Sequence, residues 1–160
     1  MNYILFWRIT KEKWQENLAK YNAIILHIFL NEGWDHVTYD RLSKETGLRK
    51  STLQGYYPSN QDFAIAMDGK VLPIIMDHLS FESKEALIES WSVSLESKEF
   101  RMIMKMFMMH ASKHEDRGQG ALGAKGLQNI IQHKLPKEDG LALLQHLFGL
   151  TMTGLLGLNK

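Results

Sequence analysis

Cysteine is absent from the 160-residue chain, proline occurs three times, and the net charge is only +1. Without cysteine there are no disulfides and no thiolate metal sites, which fits a reducing, cytoplasmic setting. Each proline (Pro58, Pro73, Pro136) reads as a helix boundary or kink. The near-neutral charge gives no global signal for nucleic acid. Its distribution leans slightly, with 8 Lys/Arg against 6 Asp/Glu in residues 1–60 and 11 against 12 in the remainder. Any affinity for an anionic partner must come from a few well-placed cations.

Long apolar runs are also missing. Tyr3–Trp7 (YILFW) is too short for a secretory core. Leu141–Leu158 is interrupted by Gln145 and His146, so it reads as a buried helix and no membrane partner is expected. There is no strand alternation, internal repeat or low-complexity tract. No GxSxG, P-loop, GxGxxG or HExxH motif occurs, and nothing assembles a nucleophile, base and orienter. An enzyme is not expected, and no catalytic residue, cofactor or metal is assigned. His110 and His114 are one helical turn apart, a spacing able to chelate a metal, but no third ligand is fixed. An exposed pair complementing a helix C-terminus is the plainer reading.

What is present is helical. Hydrophobic residues make up 44% and charged residues 23%, so the chain can bury a core. From Lys11 to Leu30, Trp14, Leu18, Tyr21, Ile25, Ile28 and Phe29 recur at three- and four-residue steps, predicting an amphipathic helix. Gly33 is suited to cap it, and Trp34 to tuck back on its end. Ser59 to Asp62 is a capping box opening a helix to about His78, with a kink at Pro73. Lys84–Glu96 and Lys98–Ser112 read as two more helices, with Ser83 and Ser97 as caps. After the polar loop Glu115–Gly120, a helix from Ala121 to Leu135 is weakened by Gly123 and Gly126. Pro136 opens the last helix, to about Leu158. The fold class is all-α.

The organising stretch is Thr38–Asn60, TYDRLSKETGLRKSTLQGYYPSN. Thr38 caps a short helix Tyr39–Thr46, Gly47-Leu48-Arg49 turns, and a second helix runs from Lys50 to about Tyr57. Val37, Leu42, Leu48, Leu53 and Tyr57 fall on the inner side, with Lys50, Ser51 and Gln54 facing out. This is the pattern of a helix-turn-helix. In context, the run Phe29, Gly33-Trp34, Val37-Thr38, Leu42, Gly47-Leu48, Ser51-Thr52-Leu53, Tyr56-Tyr57-Pro58-Ser59 and Phe63 resembles the N-terminal domain of the tetracycline-repressor-like (TetR) family of bacterial regulators. The resemblance covers about Tyr21–Phe63 without a gap. It departs from the family at Arg49, where a small hydroxyl cap is usual, at Gln54, usually Tyr, and at Asn60, usually Lys.

The resemblance implies a helix-turn-helix DNA-binding domain over residues 1–59 and a compact helical effector-binding and dimerisation domain over 60–160. It implies a homodimeric transcriptional repressor that binds a palindromic operator in double-stranded DNA and is released by a small-molecule effector. The residues themselves leave open a second reading, a helical ligand-binding or interaction module with a vestigial motif. Thr38 at a helix start and Arg49 and Lys50 at the start of the second helix are candidates for phosphate, the latter two also for guanine. Ser51, Thr52 and Gln54 are candidates for base edges. Gly55 would permit close backbone approach, and Tyr56 would stack on the sugar-phosphate wall and donate its hydroxyl to phosphate. Asn60 stays among the DNA-contact candidates, although having it in place of Lys removes one phosphate partner, a loss that Arg49 or Lys50 can make good.

In the second half, Phe100–Met109 (FRMIMKMFMM) holds five methionines, flexible side chains suited either to core filling or to a pocket for varied apolar ligands. Trp91, Phe100, Met104, Phe107 and Met108 are the candidate pocket. The last helix carries Leu144, Leu147, Phe148, Thr151, Leu155 and Leu158 on a broad apolar face, the candidate dimer interface.

Overall fold

The computed structural model describes residues 9–114 and 116–160. The N-terminal aromatic arm and Glu115 in the polar loop lie outside the described residues. The described residues form α-helices and two 3-10 segments, with no strand, as an all-α reading requires. The helices are α1 (Lys11–Glu32), α2 (Tyr39–Thr46), α3 (Lys50–Tyr56), α4 (Val71–His78), α5 (Lys84–Ser94), α6 (Lys98–His114), α7 (Gly118–Lys134) and α8 (Gly140–Leu155).

α1 starts where the Thr10 hydroxyl accepts the Lys13 N–H at 3.1 Å and stops at Gly33, whose φ of 102° suits only glycine. Its inner stripe, Tyr21, Ile25, Ile28 and Phe29, is buried at the expected helical spacing. Trp34 does fold back, meeting Phe29 edge to face with centroids 6.0 Å apart. Arg41 then ties α2 to the end of α1. Its guanidinium pairs with Glu32 through Nε at 2.9 Å and a terminal nitrogen at 2.6 Å, and with Glu45 at 2.7 Å.

After α3 the chain departs from the sequence expectation. Ser59 and Asp62 do make their box, the Ser59 N–H donating to the Asp62 carboxylate at 2.7 Å. The segment that this box opens, Asn60–Met67, is a 3-10 helix that packs Phe63, Ala66 and Met67 inward against α1. The break before α4 falls at Asp68-Gly69-Lys70, where Gly69 has φ 67°, rather than at Pro73. Pro73 occupies the third position of α4, in the first turn. An N–H there has no intrahelical partner, so its absence costs nothing and no kink results.

α6 is the central element, touching α1, α4 and α7, while α8 packs on α5 and α7. α7 begins at Gly118, three residues earlier than expected. Its glycines serve packing more than they weaken the helix. A Cβ on Gly120 would lie 2.7 Å from the His110 Cβ, and one on Gly123 would lie 3.0 Å from the Phe107 ring. The last helix opens not at Pro136 but at Asp139, whose carboxylate accepts the Ala142 N–H at 3.0 Å. Trp91 on α5 reaches across the core to donate its Nε1–H to the Thr151 hydroxyl on α8 at 2.9 Å. That hydroxyl in turn donates to the Leu147 carbonyl.

Candidate nucleic-acid interface and effector cavity

α2 and α3 cross with Leu42, Leu53 and Tyr57 buried beneath them. Gly47 takes the left-handed conformation that ends α2, with φ 72°. The Tyr57 hydroxyl donates to the Asn22 side chain at 2.6 Å, and the Tyr39 hydroxyl donates to the Tyr57 carbonyl. Burial, reinforced by the neighbouring tyrosines Tyr21 and Tyr56, pushes the Tyr57 phenol up, so it stays a neutral donor. Both bonds hold the C-terminal end of α3, one to α1 and the other to α2.

With that side sealed, the polar residues of the motif face outward. Arg49, Lys50, Ser51, Thr52, Gln54, Gly55 and Asn60 are all exposed. The side chains of Ser51, Thr52 and Gln54 make no hydrogen bond to any described residue, so their donors and acceptors are free for a partner. Lys50 makes an ion pair with Asp40 across the turn. Both ends are exposed, so the pair is weak and exchangeable for a phosphate. The Thr38 hydroxyl accepts the Arg41 N–H at 3.1 Å, which leaves its own proton to donate outward.

Tyr56 is the exception. Its ring is half-buried, stacked on Trp14 with centroids 5.5 Å apart and edge-on to Tyr21 at 5.0 Å, and its hydroxyl accepts from Asn17 at 3.0 Å. The aromatic stripe on the first half of α1 offers it more apolar contact than an exposed position would. The ring is therefore part of the α1–α3 packing, and only the hydroxyl proton remains for a phosphate.

A cavity of about 340 Å³ lies between the 3-10 segment, the start of α4, α6 and α7. Ala64, Met67, Val71, Leu72, Ile75, Met106, Phe107, Leu122 and Gly123 give it an apolar wall, with Trp34, Asp68, His110 and Gln119 at its margins. Of the candidate pocket residues, only Phe107 lines it. Trp91, Phe100 and Met104 are fully buried, and Met108 is half-buried outside the lining. Trp91 and Phe100 meet edge to face at 5.1 Å in the core between α5, α6 and α8, where Phe148 also faces Trp91 at 6.3 Å. The Met-rich run is divided, with Met104 in the core and Met106 in the cavity wall.

The two histidines meet edge to face with centroids 5.5 Å apart but differ in burial. His114 is exposed, whereas His110 is half-buried, edge to face with Trp34 at 5.9 Å and with its Nδ1 lacking a hydrogen-bond partner among the described residues. Burial, then the nearby His114 and Lys113, hold the His110 imidazole below its ordinary pKa. No cluster of three metal-ligating side chains occurs among the described residues.

The apolar face of α8 divides in the same way. Leu144, Leu147 and Thr151 are buried within the chain, because α5 and α7 take that side of the helix. They cannot meet a partner without unfolding. Phe148 and Leu155 are half-buried and Leu158 is exposed. The apolar residues left outside are Leu141, Met152, Leu156 and Leu158. Leu141 and Met152 share one face of α8 with Gln145 and Gly149, at steps of three or four, and Leu156, the residue just past its end, continues that spacing.

Residues 68–155 match the family model of the tetracycline repressor LuxT C-terminal domain. The chain belongs to the tetracycline-repressor family. No curated protein matches it. This is a family of transcriptional regulators. In this tetracycline-repressor-like chain the match begins at Asp68, where the 3-10 segment gives way to the α4 turn, and it takes in most of the cavity wall and all of α8. The sequence missed Leu72, Ile75 and Leu122 as wall residues because ordinary apolar side chains carry no chemical mark. His110 was visible, but as one of a pair rather than as the inward one. No described helix is long and apolar enough to cross a membrane.

Proposed function

We propose that the chain is a homodimeric, sequence-specific DNA-binding repressor acting in the cytoplasm, released from a palindromic operator by a small-molecule effector. The observation that carries this reading is the sorting of α3. Leu53 and Tyr57 are buried while Ser51, Thr52, Gln54 and Gly55 stand exposed beside Arg49 and Lys50. A short helix with uncommitted polar groups, flanked by cations and braced from behind, suits the major groove. Gln54 is the reader of an adenine edge; Arg49, Lys50, Thr38 and Asn60 hold phosphates or, for the first two, guanine.

One such helix contacts few bases, so two are needed about one DNA turn apart. The outer face of α8, with Leu141, Met152 and Leu156 and the adjoining Leu158, supplies the apolar patch for a two-fold contact. The division of labour falls near residue 59, with DNA binding before it and effector binding and dimerisation after. An effector in the cavity beside Gly69 would favour one spacing of the recognition helices over another, which is a shift of population.

The test is selection of genomic fragments by the purified protein, followed by gel shifts of the enriched sequence over a salt series. A palindromic consensus whose binding falls steeply with salt is expected. Failure to enrich any sequence at low salt would reject DNA recognition and favour the vestigial-motif reading.

A further inference from the structure

The cavity beside Trp34 has a wall whose chemistry restricts what enters. Leu72, Ile75, Met106 and Phe107 give it an apolar floor, and no Lys or Arg among the described residues lines it. The one carboxylate among its described lining residues, Asp68, is exposed at the edge. An anionic ligand would lose its hydration, meet Asp68 and find no cation to pair with. Its volume is near the lower end for small-molecule sites. Trp34 adds a second observation. It lies between α1 and α2, ahead of the Thr38 cap, yet it lines the cavity and touches His110.

We propose that this cavity binds a compact, uncharged, largely apolar molecule, and that Trp34 is one of its walls. The ligand then touches the turn that feeds α2 directly, as well as the Asp68–Lys70 break before α4. The His110 ring stands in the cavity wall, while its Nδ1, unpaired among the described residues, is sealed from solvent against Gly120, so the wall presents the ring rather than that nitrogen to the ligand. The consequence for DNA release rests on the proposed function; the ligand class and the wall do not.

The experiment uses two fluorescent probes on the full chain without DNA. N-phenyl-1-naphthylamine is uncharged and carries one N–H. 1-Anilinonaphthalene-8-sulfonate has the same ring systems plus a sulfonate. The neutral probe should bind with enhanced, blue-shifted emission, and the sulfonate roughly tenfold or more weakly. Leu122→Trp, at an exposed edge of the cavity, and Trp34→Leu should each weaken the neutral probe several-fold, with circular dichroism and thermal melting showing that both variants remain folded at the assay temperature.

Equal or tighter binding of the sulfonate overturns the ligand class, as does binding of neither probe. Unchanged affinity in both variants overturns the site. An effect of Leu122→Trp without one of Trp34→Leu removes Trp34 from the wall. Because no DNA is present, failure of operator binding would sink the repressor reading while leaving these outcomes intact.

Discussion

Trp34 and His110 meet edge to face with ring centroids 5.9 Å apart, the first on the turn between α1 and α2, the second on α6. The pair joins the helix-turn-helix to the body of the protein at the margin of the cavity. Its ionisation has a sign. The folded chain holds the His110 imidazole below 6.5, so as pH falls the unfolded chain takes up its proton first. Stability should therefore be fully present above about 6.5 and decline as pH drops from there through the lowered folded value. Melting temperatures of wild type and His110→Gln between pH 7.5 and 5 check this; the variant should show a flatter profile over that window.

The exposed polar set on α3 separates two kinds of contact. Lys50→Ala should weaken binding to every sequence alike and lower the slope of log affinity against log salt by about 1. Gln54→Ala should instead relax preference at one base pair, at a cost of about 1–3 kcal/mol against the preferred site. Competition gel shifts with single-base operator variants at two salt concentrations distinguish them.

Gly55 offers a sharper test, because a Cβ there meets nothing within 4 Å. Gly55→Ala should stabilise the free protein by up to about 1 kcal/mol through helix propensity. If the backbone of α3 lies close to DNA, the same methyl weakens operator binding. Denaturant melts paired with binding curves read both signs. Gly120→Ala is the contrast, since its Cβ would lie 2.7 Å from that of His110 and should destabilise by about 1–3 kcal/mol.

The two faces of α8 should respond differently. Leu147 is fully buried, so Leu147→Ala should cost about 2–5 kcal/mol of stability. Met152→Glu and Leu156→Glu change exposed positions and should leave the fold intact while dissociating the dimer. Sedimentation velocity together with thermal melting would show the separation; a dimer that survives both glutamates places the interface elsewhere.

Glu32 ends α1 and pairs with Arg41 on α2, and the Arg41 guanidinium holds its carboxyl below the usual range. A lowered carboxylate contributes stability that is complete above its unfolded value of about 4.5 and lost as pH falls through the folded one. Arg41→Ala should abolish that acid-side dependence and lower the melting temperature at pH 7 more than at pH 3.

The helices were largely legible because their signals are local. Thr38, Ser83 and Asp62 perform the capping that their types and spacing suggest, and the buried stripe of α1 follows its period. The rest depended on what packs against what. Tyr56 turned inward because Trp14 and Tyr21, far back in the chain, offer it aromatic surface. Leu144, Leu147 and Thr151 looked available for a partner because a helical face does not say whether its own chain will cover it. Trp91 and Phe100 looked like pocket walls for the same reason. Trp34 and Leu122 share a cavity only because α6 and α7 cross closely at Gly120 and Gly123, a contact no local pattern encodes.

The 3-10 stretch Asn60–Met67 stores length. Its eight residues, at about 2.0 Å rise each, extend further than the same residues would at the 1.5 Å of an α-helix, by about 4 Å. Rewinding it would draw the recognition helix toward the body by that distance. Under the proposed effector response, the stroke would then be set by backbone pitch and would end at Gly69, whose φ of 67° favours glycine.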